Sequence, residues 1–353
     1  MSTYPASMAR SHRVRDIAEQ SGLSEATVDR VLHGRAGASP RAVRAVERAL
    51  LDLDRQQTQL RLGARTLILD VVVQAPERFS GAVRRALEAE LPAARPAVVR
   101  ARFHLRQSAD VHAAVEVLDG IGRRGRVSHG VLLKAPDHPE VAAAVDRLGD
   151  RGIPVVTLVT DVRGSGRAAY VGLDNAAAGA TAAYLLTVAL GDRPGDALVT
   201  LSRSLFFGER ERVESFARML ARLAPERAVH SLTDTDGLDA TLAARVGSVL
   251  ADHPTITAVY SVGGGNRATV AAFDAAGRER RAFVAHDLDE DNVELLRSGA
   301  LTAVLHHDLQ ADMRRAMAQV MRHHGLLPGA PTSVPANVEV ITPYNVPARM
   351  FPR

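Results

Sequence analysis

FVAHDLDEDNVELLRSGALTAVLHHDLQADMRRAM, residues 283–317, holds the pattern that decides the fold. A short apolar run, AFVAHD, ends at Asp287 just before a helical stretch. A second run, LTAVLHH, then leads into an amphipathic segment at 309–324. Short apolar run followed by helix, repeated, is how parallel strands covered by helices read in sequence.

The same alternation extends back to Thr66. Candidate strands are TLILDVVVQ, VVRARFHL, VSHGVLLK, IPVVTLV and AAYVGLD, then ALVTLS, VHSL, ITAVYSV, AFVAHD, LTAVLHH and a late VEVIT. Helical segments between them fall at 81–91, 109–123, 141–151, 176–190, 209–223, 238–252 and 309–324. Five strands and then a further set, in about 285 residues, favour two doubly wound lobes over one large sheet. The expected body is 66–353, with lobes near 66–170 and 175–330 and a C-terminal segment that crosses back.

Ahead of the body stands VRDIAEQSGLSEATVDRVLHGRAGASPRAVRAVERAL, residues 14–50. Its apolar residues recur at spacings of three and four, so each of three segments can turn one stripe inward. SGLS supplies a turn glycine and Ser24 as an N-cap, and Ser39-Pro40 repeats the signal. A small all-α head is expected at 1–54, joined by a hinge or linker at 55–65.

Composition sets limits on both parts. The 353 residues are 46% hydrophobic and 24% charged, ordinary for a globular protein of two or three domains. There is no cysteine, so neither disulfides nor thiolate metal sites contribute. The first twenty residues contain no apolar leader, and no run approaches the ~18 apolar residues that span a bilayer. The expected setting is therefore cytoplasmic, with no membrane partner. Of the net charge of +4, residues 1–62 hold +3, the pattern of a head with a polyanionic partner. A solvated, arginine-rich helical face accounts for that charge equally well.

The head resembles the DNA-binding domain of the lactose-repressor (LacI/GalR) family, whose pattern runs DVAxxAGVSxxTVSRVLN and then VSxxTRxxVxxAxxxL. The likeness includes Thr27-Val28-x-Arg30-Val31. It implies a helix-turn-helix whose second helix enters a major groove, with Glu25, Ala26, Asp29, Arg30 and His33 facing bases. Arg30 would read guanine, while Glu25 or Asp29 would accept from cytosine. Arg13, Arg15 and Arg35 would offset the two acids at the phosphates, beside Ser24 and Thr27. Asp29 replaces the family's usual serine. The family's hinge motif, Y-x-P-N-x-x-A-x-x-L, is missing from DRQQTQLRLGARTLIL; Leu60 or Leu62 is a minor-groove wedge, or the stretch is a polar linker.

In open α/β sheets ligands collect beyond the carboxyl ends of strands. Standing there are Gln74, Phe79, Lys134, Asp161, Asp174, Asn175, Ser202, Phe206, Phe207, Arg210, Gly263 to Asn266, Asp287, His306 and His307. Polar forks and aromatic plates are what a sugar or polyol needs. Asp174-Asn175 and Asp287 each precede a helix, and capping explains them equally well.

The body resembles type 1 periplasmic sugar-binding proteins, the fold that the repressor family uses as its sensor. By that resemblance Asp161 and Arg210 pair with sugar hydroxyls, Asp287 is the carboxylate after VAH, and His307 is the polar group after the AV strand. Phe79 stacks on the ring, and Asn266 substitutes for the polar residue expected at Gly263; Phe207 is a further aromatic candidate from its strand-end position alone.

Catalysis finds little support. SVGGGN could cradle a phosphate, but it lacks a P-loop lysine and G-x-G-x-x-G spacing. His307 and His323 sit ~24 Å apart along a helix and cannot share a metal ion. No GxSxG occurs. Neither cofactor nor metal is expected. The full expectation is a transcriptional repressor, a homodimer on a pseudo-palindromic operator, controlled by a sugar or polyol. The alternatives are an exported or cytosolic sugar-binding receptor and a sugar-modifying enzyme.

Overall fold

The structure, a computed structural model, describes residues 12–35, 37–61, 65–107, 109–201, 206–233, 239–333 and 335–348. The chain forms two compact units, Met1–Thr66 with Arg95–Val98, and Leu67–Ala94 with Val99–Arg353.

The first unit contains α1 (Val14–Ser21), α2 (Glu25–Leu32) and α3 (Pro40–Arg61). Gly22 closes α1 in the left-handed conformation, φ 68°, which a Cβ would oppose. Ser24 caps α2 by accepting from the Thr27 amide at 3.3 Å, and Ser39 accepts from the Ala42 amide at 3.1 Å. Ile17, Ala18, Val28, Val46 and Ala49 form the core these helices share. Helix α3 continues to Arg61, so most of the stretch expected as a linker at 55–65 is helical. The side chains of Leu60 and Leu62 lie outside the described residues.

The second unit holds two lobes. The first is built on β1 (Thr66–Gln74), β2 (Val98–Arg106), β3 (Gly130–Lys134), β4 (Val155–Leu158) and β5 (Ala169–Val171), in the order β2-β1-β3-β4-β5. The pairs β1/β3, β3/β4 and β4/β5 are parallel. The second comprises β6 (Asp196–Thr200), β7 (Val229–Leu232), β8 (Ile256–Ser261), β9 (Ala282–His286), β10 (Ala303–His306) and β11 (Glu339–Ile341), in the order β11-β10-β9-β8-β6-β7. All eleven strands fall within or overlap the apolar runs picked out in the sequence. Parallel pairing holds throughout the second sheet except at its edge, where β11 runs antiparallel to β10.

Helices cover the sheets because the central strands, such as β3 and β4, are buried on both faces. On the first lobe, α5 (Val111–Gly120) and α6 (Pro139–Gly149) bury Leu118, Val141 and Val145 against Val131 and Leu133, while α4 (Glu77–Glu90) packs elsewhere on the lobe. On the second, α7 (Asn175–Leu190) and α8 (Phe207–Leu223) enclose Ala182, Leu186 and Phe216. The opposite face receives α9 (Asp239–Asp252), α10 (Asn266–Ala275) and α11 (Glu290–Arg297), with Val246, Phe273, Phe283 and Leu296 at the centre. Phe216 stacks on Tyr260 with ring centroids 4.7 Å apart, and α7 crosses α8 so closely that a Cβ at Gly179 would overlap the Arg212 carbonyl.

One boundary departs from expectation. Helix α12 (Leu309–His323), placed by sequence in the second lobe, packs on α4, β4 and β5 of the first. Val320 lies directly over Gly130, Arg314 pairs with Glu90 at 2.6 Å, and His324 bonds to the His129 carbonyl. The chain therefore passes between lobes after β5, after β10 and again beyond Ala336, which bridges Leu173.

Candidate ligand-binding cleft

The carboxyl ends of β1, β3, β4, β8 and β9 converge on one cavity of about 570 Å³, its mouth included. Its walls come from both lobes: Ala75, Pro76, Arg78, Phe79, Lys134, Val159 and Thr160 from the first, and Phe206, Gly208, Glu209, Arg212, Val262, Gly263 and Asp287 from the second.

Two wall residues have unusual backbones. Val159 after β4 and Asp287 after β9 take φ values of 64° and 63°, in a region that side chains, and β-branched ones above all, seldom enter. Both are held there by hydrogen bonds. The Val159 amide donates to the Val171 carbonyl at 2.9 Å and its carbonyl accepts from the Tyr170 hydroxyl at 3.2 Å. The Asp287 amide donates to the Leu305 carbonyl at 3.0 Å, and its carbonyl accepts from Asn292 Nδ2 at 2.6 Å. The sharp turns they make end the strands at the cavity wall.

Lys134 is the central group. The residue is 8% exposed, with Nζ 3.5 Å from the centre of the Phe206 ring, 5.6 Å from that of Phe79 and 3.4 Å from the Gln74 carbonyl oxygen. Burial pushes its ammonium down to about 8; the negative charges of Glu209 and Asp287 oppose that fall, and the Arg212 charge adds to it. Arg212, also buried, donates from Nε to Asn175 Oδ1 at 2.7 Å. The N-terminus of α8 enters the same cavity through Gly208 and Glu209.

Contacts across the cleft join the lobes. Arg78 pairs with Asp289 at 2.7 Å, and Arg210 pairs with Asp137 at 2.6 Å. The Gly208 amide donates to Thr160 Oγ1 at 3.0 Å, and the Arg163 guanidinium lies 4.3 Å from the Phe207 ring centre.

Of the residues expected to bind sugar, Phe79, Gly263 and Asp287 line the cavity. Asp161 does not: it lies beyond the turn at Val159, and its carboxylate is gripped by Arg167, with both contacts at 2.5 Å, and by Thr157 at 2.7 Å. Arg210 is engaged by Asp137, and Phe207 by Arg163. His307 is buried behind Asp287, with Nδ1 2.5 Å from Asp312 and Nε2 3.9 Å from the Asp287 carboxylate. Asn266 is buried too, donating to Asn292 at 2.7 Å. Lys134 and Phe206 carried a sequence signal, their position at strand ends. Arg78, Thr160, Glu209 and Arg212 did not.

In the first unit, Arg13 and Glu25 are exposed, as is Ala26, while Ser24 and Thr27 share a hydroxyl bond of 2.9 Å. Arg15 pairs with Glu19 at 3.1 Å, and Asp29 is held by His33 and Arg35, each at 3.0 Å. Arg30 is half-buried.

Residues 71–325 match the model of a periplasmic binding protein domain. A comparison with curated protein sequences gives no match. Among solved structures, the chain resembles a glucose-galactose binding protein from Geobacillus stearothermophilus, with a TM-score of 0.71, 18% identity, and coverage of 80% of this chain and 99% of that one. It also resembles an ABC transporter solute-binding protein from Burkholderia graminis in complex with D-arabinose (TM-score 0.71, 21% identity, 79% and 96% covered). A third match is an ABC transporter solute-binding protein from Agrobacterium vitis bound with α-D-tagatopyranose (0.69, 20%, 80% and 96%).

These findings correct the regulatory reading. No DNA-binding family model matches, and the matching family and structures are solute receptors. The repressor assignment therefore gives way, together with the two-fold dimer on operator DNA and the base and phosphate roles given to Arg13, Arg15, Ser24, Glu25, Ala26, Thr27, Asp29, Arg30, His33 and Arg35. The cytoplasmic setting that accompanied it is withdrawn as well, since the family is that of periplasmic binding proteins.

Proposed function

The chain belongs to the periplasmic binding protein domain family, and from that premise we propose that it is a receptor for a monosaccharide-sized polyhydroxyl solute held between its two lobes. It is a binding protein, not an enzyme. The observation that carries the reading is the cavity wall: Phe79 and Phe206 offer aromatic faces to C–H surfaces, while Thr160, Glu209, Arg212 and Asp287 surround them with hydroxyl partners. Likeness supports the same class, because one structure this chain resembles is a glucose-galactose binding protein and two others are solute-binding proteins holding D-arabinose and α-D-tagatopyranose. Contributions from both lobes mean that bound solute favours the closed arrangement. The matched region leaves out the helices of residues 14–61, which have no part in this reading.

Calorimetric titration of the full chain with pentoses, hexoses, polyols and their acids and phosphates tests it. A saturable, 1:1 heat lost in Asp287→Ala is expected, with the solute recovered unchanged. Absence of binding across the panel would refute it.

A further inference from the structure

Among the described residues, the cleft buries two cations that no carboxylate pairs with. Among the described residues Lys134 makes no ion pair; its Nζ has ring faces and one long contact to a carbonyl. Arg212 is 4% exposed, and its described side-chain bond is to the neutral amide of Asn175. Both line the same cavity. Buried charges in folded proteins are ordinarily paired, because leaving water without a partner costs several kcal/mol. The other charged groups at the cavity act differently: Arg78 is neutralised by Asp289, and the charges of Glu209 and Asp287 raise the Lys134 ammonium. The first turn of α8, a 17-residue helix, adds its partial positive charge on the same side, and its N-cap, Phe206, offers no side-chain acceptor.

We propose that the cleft selects an anionic sugar, whose oxyanion is bound between Lys134 and Arg212 while Glu209 and Asp287 accept from its hydroxyls. This rests on the receptor reading above and narrows its ligand class. The oxyanion is a carboxylate, as in an aldonate or uronate, or a phosphate ester; both have the charge and acceptor geometry that a lysine and an arginine complement. Because only the protonated lysine pairs with it, affinity falls by up to tenfold per pH unit once pH exceeds about 8. A neutral sugar shows no such fall.

The test is calorimetry of the full chain with matched trios: glucose, glucuronate and glucose 6-phosphate; galactose, galacturonate and galactose 6-phosphate; arabinose, arabinonate and arabinose 5-phosphate. One anionic member is expected to bind at least tenfold tighter than its neutral parent, and which one binds separates carboxylate from phosphate. Lys134→Met and Lys134→Gln should erase that preference, with folding checked by the melting transition. Equal or tighter binding of the neutral sugar overturns the proposal and leaves the receptor reading standing. An anion preference that survives both substitutions also overturns it. If none of the nine compounds binds, the proposal falls, and the wider panel above decides the receptor reading.

Discussion

Replacing Lys134 by methionine is expected to make the unliganded protein more stable. Burial lowers the ammonium from 10.5 to about 8, so the folded state holds that proton less tightly than the unfolded chain does. The margin corresponds to about 3 kcal/mol at neutral pH. Against it stands the attraction of the ammonium for the Phe206 ring, about 1–2 kcal/mol. Methionine keeps the unbranched apolar stem of lysine and ends one atom short of Nζ, so it fills most of the same space. The net gain is on the order of 1–2 kcal/mol, a rise of a few degrees in melting temperature. The sign with pH follows from proton counts. Below pH 8 both states are protonated and the penalty is complete. Between pH 8 and 10.5 the unfolded chain binds more protons, so wild-type stability climbs and the advantage of methionine shrinks. Denaturation curves for both proteins at pH 7 and 10.5 measure it. A variant less stable at pH 7, or a gain that does not shrink at high pH, would refute the reasoning.

Asp161→Ala should cost about 1–3 kcal/mol by stranding Arg167, yet leave ligand affinity unchanged; weakened binding in a fully stable variant would restore Asp161 to the site. Gly179→Ala should cost more than about 3 kcal/mol, because the Arg212 carbonyl belongs to a rigid helix; a normal melting temperature would contradict the close crossing. His286, enclosed beside Tyr260, is held well below its ordinary value of 6.5 by burial, then by the Arg212 charge. Folding support from its neutral form is therefore present above pH 6.5 and lost as pH falls below it. His286→Gln should flatten the stability profile on that acid side, and an unchanged slope would remove this group from the acid response.

The strands were legible because apolar runs bounded by polar breaks leave little choice, and the small helical core around Ile17 and Val28 followed from spacing alone. Lobe membership was not. Met313, Ala316, Met317 and Val320 show that α12 has a buried face, but an amphipathic pattern does not say which sheet it covers. The edge position of β11 was hidden similarly, since its direction depends on where the chain returns after Ala336. In the site, Phe79 and Asp287 were readable as strand-end residues. Asp161 misled because the wall ends at Thr160, just past the turn at Val159, and a positive φ at valine has no sequence signal. Arg78 and Arg212 lie within the first two turns of helices, where an arginine looks like any solvated one. Arg210 and Phe207 occupy the expected place in the chain, but their partners Asp137 and Arg163 come from the opposite lobe, a relation set by lobe closure.

The central claim is that the cavity between the lobes holds a sugar. Its most direct test is calorimetric titration of wild-type and Asp287→Ala chains with the same panel of neutral and anionic monosaccharides. The account predicts one saturable site in the wild type and at least tenfold weaker binding in a variant that melts normally. Sugar binding that is undiminished in Asp287→Ala, or absent from the wild type altogether, would contradict it.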